Sequence, residues 1–173
     1  MNIFVLSTDP VEAATMECDK HVVKMLLETA QLLCGPHPPG KAPYVRTHFN
    51  HPCAKWTRES TSNYTWLSIH GLALCEEYTR RYRRTHRSEP VIEWCSRNVP
   101  TTIPDGPLTP FAIAIKDKTL HVPGDPVASY RKYYVVEKSR FARWNYCDPP
   151  AWWPEDATHR LKKTIEALSC ESI

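Results

Sequence analysis

The sequence predicts a mostly α-helical protein built around one long, largely buried N-terminal helix. Proline and glycine divide the chain into segments of helical length, several segments begin with capping residues, and convincing strand patterns are few. At 173 residues the chain has the length of one domain, so we expect a single helical bundle over 1–173. No apolar run reaches the length needed to span a bilayer.

The segment 10–35 predicts the long helix. Asp9 is a suitable N-cap, Pro10 takes the first helical position, and Glu12 at the third completes a capping box. Gly35, followed by proline, is expected to end the helix. Apolar residues cover most of its circumference, which predicts that it is largely buried.

The remaining elements follow from similar signals. The first six residues, MNIFVL, predict a short extended segment in the core, 99–110 predicts a loop, and 111–120 is ambiguous between helix and strand. Further helices are expected over 51–84 with a break near 60–62, over 90–97, over 126–144, and from Pro154 onward.

The polar residues of the first helix form a narrow stripe, which is the first place to look for function. At 100° per residue it contains Glu17, Lys20, His21, Lys24, Glu28 and Gln31. One interpretation is a structural network, in which lysines and glutamates pair at helical spacing. The other is a catalytic site, because desolvated lysines become amine nucleophiles and a histidine between cations has a lowered pKa. The candidate catalytic residues are Lys20, His21, Lys24 and Glu28.

The charge is unevenly distributed along the chain. Residues 79–144 contain thirteen Lys and Arg against six Asp and Glu, a net charge of +7, whereas the whole chain carries only +3. A basic surface of this kind favours a partner that carries phosphates.

Two segments supply most of this positive charge. RRYRRTHR, at the end of the second helical region, is either a solvated helix end or a phosphate clamp. In 126–144 the aromatic residues are either core or stacking platforms, but their interleaving with cations favours nucleic-acid binding. The predicted DNA-binding residues are Arg80, Arg81, Arg83, Arg84, Arg87, Arg131, Lys132, Lys138, Arg140 and Arg143.

The seven cysteines are scattered and include no C-x-x-C pair, which favours reduced core residues in a cytoplasmic protein. Zinc is an alternative, because Cys18 and His21 have C-x-x-H spacing and His48, His51 and Cys53 lie close in sequence. Cys18 points away from His21 on a helix, and His51 before proline fits a helix cap. We therefore predict no bound metal and no cofactor.

The order of features resembles, distantly, the phage pyrimidine-dimer DNA glycosylases of the endonuclease V type, and the chain also resembles small proteins of tailed phages. The parallel rests on CDKHVVK, from Cys18 to Lys24, and on the helix from 51 to 84 that ends in a basic turn. It covers about the first half of the chain.

The resemblance implies a small all-helical enzyme whose amine forms a Schiff base with the sugar of a damaged nucleotide. The family uses an N-terminal amine exposed by removal of the first methionine, and a catalytic glutamate. Here Met1 before Asn2 is expected to be retained, and His21 is the residue that best matches the glutamate. The amine then comes from Lys20, Lys24 or Met1, with His21 or Glu28 handling protons.

The function expected from the sequence is therefore a DNA N-glycosylase with abasic-site lyase activity, acting on a damaged or modified base. Its partner is DNA and not a membrane. Three alternatives remain: a phage enzyme that modifies DNA bases, a nucleic-acid-binding or host-takeover protein without catalysis, and a zinc-stabilised interaction module.

Overall fold

The structure, a computed structural model, describes residues 1–154, and the regular secondary structure of these residues is helical. It contains six α-helices: α1 (Pro10–Met16), α2 (Asp19–Cys34), α3 (Pro52–Thr57), α4 (Thr61–Tyr82), α5 (Glu89–Arg97) and α6 (Pro126–Tyr133). Within 1–154 no residue is assigned to a strand. The predicted mostly α fold is confirmed. None of these helices is both long and apolar enough to cross a membrane.

The prediction of one continuous helix over 10–35 is wrong, because α1 and α2 are separated at Glu17 and Cys18. Contacts from distant residues replace the helical hydrogen bonds at this point. Arg81 donates to the carbonyl oxygens of Thr15 and Glu17, and the Trp144 indole donates to that of Met16. The last carbonyls of α1 are thereby satisfied without another helical turn, which allows the chain to change direction.

Helix α4 is the centre of the bundle and packs against α1, α2 and α5. At Gly71 the helices approach closely: a Cβ atom there would lie 2.9 Å from Thr29 Cγ2 on α2 and 3.0 Å from Ile92 Cγ2 on α5. The absence of a side chain at this position permits the close packing. The buried face of α2, including Val22, Leu26 and Leu33, faces this interior.

The N-terminal segment enters the core as predicted. Ile3 to Leu6 belong to no helix or strand and are almost fully buried. The break in the second helical region is also confirmed, since α3 ends at Thr57 and Ser60 caps α4 by accepting from the Asn63 N–H. The buried N-terminal segment places Met1 and Asn2 beside the middle of α2, where both contact Glu28.

The second half of the described chain contains less regular structure. The loop over 99–110 and the helix near 90–97 are confirmed, whereas 111–117 is irregular and leads into a 3-10 turn at Lys118–Leu120. Helix α6 continues only as a π-helical turn over Tyr134–Lys138 and does not reach 144 as predicted. The buried Tyr134 hydroxyl contacts His21, so tertiary contacts again override the helical pattern. The predicted helix from Pro154 lies outside the described residues.

Candidate active site

The four predicted catalytic residues, Lys20, His21, Lys24 and Glu28, all line one cleft beside α2. Its volume is about 500 Å³, and the N-terminal residues and the segment from Tyr133 to Phe141 form its other walls. The break before α2 leaves Glu17 outside the cleft, fully buried next to His70. The polar stripe predicted from the sequence is therefore divided between two environments.

Glu28 is the centre of the cleft, because two amines meet at its carboxylate. The Met1 amine lies 3.7 Å from Oε2, and the Lys24 ammonium lies 3.2 Å from Oε1. The Asn2 backbone N–H also donates to Oε2, at 2.8 Å. The carboxylate that meets the Met1 amine is thus that of Glu28, whereas His21, which the resemblance matches to the family's glutamate, makes no ion pair within residues 1–154.

Asn2 is held by several contacts, which fix the position of the chain start. Its Oδ1 accepts from the Ile3 N–H and lies 2.8 Å from the Tyr130 hydroxyl. Its Nδ2 donates to the Ala114 carbonyl oxygen at 3.4 Å. Burial raises the pKa of Tyr130, so its phenol stays protonated and able to donate. Sequence reasoning missed both residues, because 128 positions separate them.

His21 is a neutral, buried residue at the back of the cleft. Its ring stacks on Phe4 with centroids 4.3 Å apart, and its Nδ1 hydrogen-bonds to the Tyr134 hydroxyl. Burial, together with the charges of Lys138 and Lys24, lowers the pKa of His21 to about 3. The pKa is lowered as expected from the sequence, but burial is the largest cause, and of the two flanking lysines only Lys24 contributes, together with Lys138.

Cations and aromatic rings alternate at the mouth of the cleft. The Lys20 ammonium lies 5.4 Å from the Phe141 ring centroid, and the Lys138 ammonium lies 4.3 Å from that of Tyr133. Such contacts hold ammonium groups over ring faces. The mouth can therefore offer positive charge to phosphates and flat surfaces to a base.

A second groove, of about 620 Å³, begins on the other side of Lys24 and continues the basic surface. Val23 and Leu27 of α2 form one wall, and Arg84 and Arg87 lie on the opposite side. Of the predicted DNA-binding residues, the structure brings Arg84 and Arg87 to this groove and Lys138 to the cleft. Lys24 lines both depressions.

Three of the other arginines near the end of α4 lie elsewhere. Arg81 is buried in the core, where it pairs with Asp19 and Glu77, so we leave it out of the DNA surface. Arg80 is half exposed but pairs with Glu77 at 2.6 Å. Arg83 lies with Arg80 in a depression that also contains three glutamates, which reduces its attraction for phosphate.

The basic residues of the second predicted segment are also dispersed. Arg131 donates to the Leu6 carbonyl oxygen, Lys132 to that of Thr119, and Arg143 to that of Ala142. None of these three residues lines the cleft or the groove. Arg140 is exposed. The interleaved aromatics divide similarly, since Tyr130 and Tyr134 are core residues while others line the cleft.

The histidines and cysteines considered for zinc have other partners. His51 caps α3 by accepting from the Cys53 N–H, and His48 lies against the Thr47 hydroxyl. Between residues 1 and 154 no group of three or more His, Cys, Asp or Glu could hold a metal ion. Five of the six cysteines in this part of the chain are buried free thiols, and Cys170 lies outside it.

Comparison with known proteins gives a family for this chain. Searches of curated proteins and of solved structures found no match. The family model described as pyrimidine dimer DNA glycosylase matches residues 1–90, which hold α1 to α4, Lys20, His21, Lys24 and Glu28. This match covers more than half of the sequence, and the chain therefore belongs to the pyrimidine dimer DNA glycosylase family.

Proposed function

We propose that this protein is a DNA glycosylase and abasic-site lyase whose nucleophile is the amine at the start of the chain, with Glu28 as its acid–base partner. One observation carries the proposal: the Met1 amine lies 3.7 Å from Glu28 Oε2 inside a cleft lined by cations and aromatic rings. An amine beside a carboxylate is the pair that Schiff-base chemistry requires.

The proposed reaction proceeds in four steps. The neutral amine attacks C1′ of the damaged nucleotide, the bond from C1′ to the base breaks, and the electron pair leaves with the base. Loss of the amine proton and opening of the sugar ring give an iminium ion between C1′ and the amine. Removal of a C2′ proton then expels the 3′ phosphate, and water hydrolyses the iminium to free the enzyme.

Glu28, not His21, is the group we assign to proton transfer. Its carboxylate already contacts the amine and can accept the proton that the amine loses. It also lies where the positive charge of the iminium develops. His21 remains neutral at physiological pH, because its pKa is about 3, and its Nδ1 is engaged by Tyr134. We assign His21 to holding Phe4 and the back wall in place.

Of the two amines at Glu28, we favour that of Met1. The Met1 side chain is 2% exposed and Asn2 is held by Tyr130 and Ala114, so this amine is positioned before substrate binds. The Lys24 side chain is 70% exposed. We assign Lys24, with Lys20 and Lys138, to the phosphates that flank the damaged nucleotide.

DNA is the proposed partner, with its backbone on the surface formed by Lys20, Lys24, Lys138, Arg84 and Arg87. A glycosylase reaches the bond to the base by turning a nucleotide out of the stack. The cleft is too small for a duplex but accommodates one nucleotide, and Tyr133 and Phe141 offer rings against which a base can stack.

Borohydride trapping tests this proposal. Duplexes that contain a pyrimidine dimer or an abasic site are incubated with the protein and reduced, and covalent adducts are resolved by electrophoresis. Wild type and Lys24→Gln are expected to form an adduct, because the favoured amine is present in both. Glu28→Gln is expected to lose it.

An extension of a few residues before Met1 provides the matched control, since it replaces the amine by an amide without changing the cleft residues. This variant is expected to bind DNA but form no adduct. Absence of both adduct and strand cleavage in wild type, with salt-sensitive DNA binding retained, would contradict the proposal and favour a non-catalytic DNA-binding protein.

A further inference from the structure

The chain between Glu28 and Glu59 contains no acidic residue, yet it contains Lys41, Arg46, Lys55 and Arg58. We call residues 36–58 the basic loop; it comprises the connection after α2 together with α3. None of its four cations was among the DNA-binding residues predicted from the sequence. Their charge is separated from the predicted basic segments by more than twenty positions.

Two of these cations lie against one aromatic ring. The Arg46 and Arg58 guanidinium carbons lie 4.5 Å and 3.8 Å from the Phe49 ring centroid. Arg46 donates to the carbonyl oxygens of Gly35 and His37, and Arg58 to those of Phe49 and Ala54. Backbone contacts therefore hold both guanidinium groups in place without neutralising them.

The positive charge of this pair has no counter-charge in the part of the chain that the structure describes. No ion pair there includes Arg46 or Arg58. The pKa of Arg58 is lowered by burial and by the charge of Arg46, which indicates that the two cations repel each other. A bound anion would relieve this repulsion.

The basic loop borders both depressions described above. Near its start, the Tyr44 hydroxyl lies 3.3 Å from Ser88 Oγ, and Tyr44 lines the groove that contains Arg84 and Arg87. Near its end, the Cys53 thiol donates to Oδ1 of Asn2, which lines the cleft, at 3.7 Å. The positive charge of the nearby Met1 amine also contributes, after burial, to lowering the pKa of His51. The basic loop thus extends from the groove to the side of the cleft where the proposed nucleophile lies.

We propose that the basic loop binds the phosphate backbone of the DNA, outside the nucleotide that enters the cleft. This inference rests on the proposed function for the identity of the partner. A polyanion fits better than a single small anion, because the four cations are spread over 18 residues and lie beside exposed apolar groups, including Val45 and Phe49. Contacts of this kind fix the register of a duplex without reading its sequence.

The test measures DNA affinity at several salt concentrations by fluorescence anisotropy, using a duplex with an uncleavable abasic analogue. Each phosphate contact contributes about 0.9 to the slope of log affinity against log salt. Arg46→Gln/Arg58→Gln is expected to reduce this slope by about 1.8 and to weaken binding about tenfold or more at low salt. Arg97→Gln, which removes an exposed, paired arginine from α5, is the matched control and is expected to leave the slope unchanged.

A second variant distinguishes an effect of lost charge from an effect of impaired folding. Lys41→Gln/Lys55→Gln removes two exposed cations whose ammonium groups make no hydrogen bond within residues 1–154, and it is expected to reduce the slope in the same direction. Normal thermal unfolding with the wild-type slope in either double variant would overturn the inference. If the arginine variant fails to fold, the salt slope of the lysine variant alone tests the inference.

The binding assay also keeps this inference distinct from the proposed function. Because no reacting group lies on the basic loop, adduct formation by wild type tests the glycosylase proposal, whereas the salt slopes of the two double variants test the basic loop. If wild type forms no adduct, the glycosylase proposal fails. The salt slopes would still test whether the basic loop binds DNA.

Discussion

The charged residues at the start of α2 and those in its middle are arranged in opposite ways. At the start, Arg81 is buried and pairs with Asp19 at 3.1 Å and with Glu77 at 2.8 Å. In the middle, Glu28 faces a cleft and meets the amines of Met1 and Lys24. The first cluster is closed to solvent, whereas the second leaves amines and cations accessible to a ligand.

This difference separates a structural cluster from a chemical one. Arg81 also satisfies backbone carbonyls where α1 ends, so its charge is used in joining α1, α2 and α4. Around Glu28 the cations outnumber the single carboxylate, since Lys20, Lys24 and Lys138 line the same cleft. Such an excess of positive charge is stabilising only when an anion binds.

The largest expected effect is on the chemistry of the cleft. Glu28→Gln keeps the shape of the side chain but removes the proton acceptor, so we expect cleavage of the glycosidic bond to slow by about 10² to 10⁴-fold. Single-turnover rates on a dimer-containing duplex measure this. Glu93→Gln, which removes another carboxylate paired with a basic residue four positions away, is the control and should leave the rate unchanged. A wild-type rate in Glu28→Gln would exclude Glu28 from proton transfer.

The next largest effect is on stability, at the other cluster. Arg81→Met leaves Asp19 buried without its ion-pair partner and Glu77 paired only with Arg80, which is expected to reduce the free energy of unfolding by about 3–5 kcal/mol. Arg80→Met removes a half-exposed partner of the same Glu77 and is expected to cost only about 0–1 kcal/mol. Urea unfolding of the two variants measures the difference. Equal losses of unfolding free energy in the two variants would contradict the claim that burial gives Arg81 its larger contribution to stability.

A smaller effect is expected on the pH dependence of stability. The pKa of His21 is about 3 in the folded protein and about 6.5 when unfolded, so the unfolded chain binds the proton more readily. Stability from this residue is present above pH 6.5 and is lost as the pH falls. Between pH 6.5 and 5 we expect wild type to lose about 1.5–2 kcal/mol more than His21→Gln. Parallel pH profiles of unfolding free energy for the two proteins would contradict the buried, neutral state of His21.

The smallest effect is expected at the rim of the groove. Arg84→Gln/Arg87→Gln removes two exposed cations, which should reduce the salt slope of DNA binding by about 1.8 without changing the rate of base release at saturation. Thermal unfolding should be unaffected. An unchanged salt slope would remove the groove from the DNA surface and leave the cleft cations alone in that role.

The sequence was sufficient to predict the helical class and the four residues of α2 that were expected to share one cleft, because both follow from local pattern. Capping residues and prolines place helix starts, and residues spaced by three or four positions share a helix face. Lys20, Lys24 and Glu28 therefore fall together whatever the rest of the chain does. His21 is included for the same reason, although its ring turns toward the core.

What the sequence could not supply depends on contacts between distant residues. The break at Glu17 arises from Arg81 and Trp144, and the clamp on Asn2 comes from Tyr130. Clustered arginines in RRYRRTHR predict a basic surface, but only three-dimensional packing reveals that Arg81 faces the core. Charge content therefore predicts a type of partner better than it predicts which residues bind it.

The central claim is that the amine of the chain start, and not a lysine, forms the bond to DNA. Tandem mass spectrometry of the borohydride-trapped adduct tests it most directly, because reduction leaves the sugar remnant on the nitrogen that reacted. The account predicts that this remnant is found on the α-amine of the first peptide. A remnant on the ammonium nitrogen of Lys24 or Lys20 would contradict it.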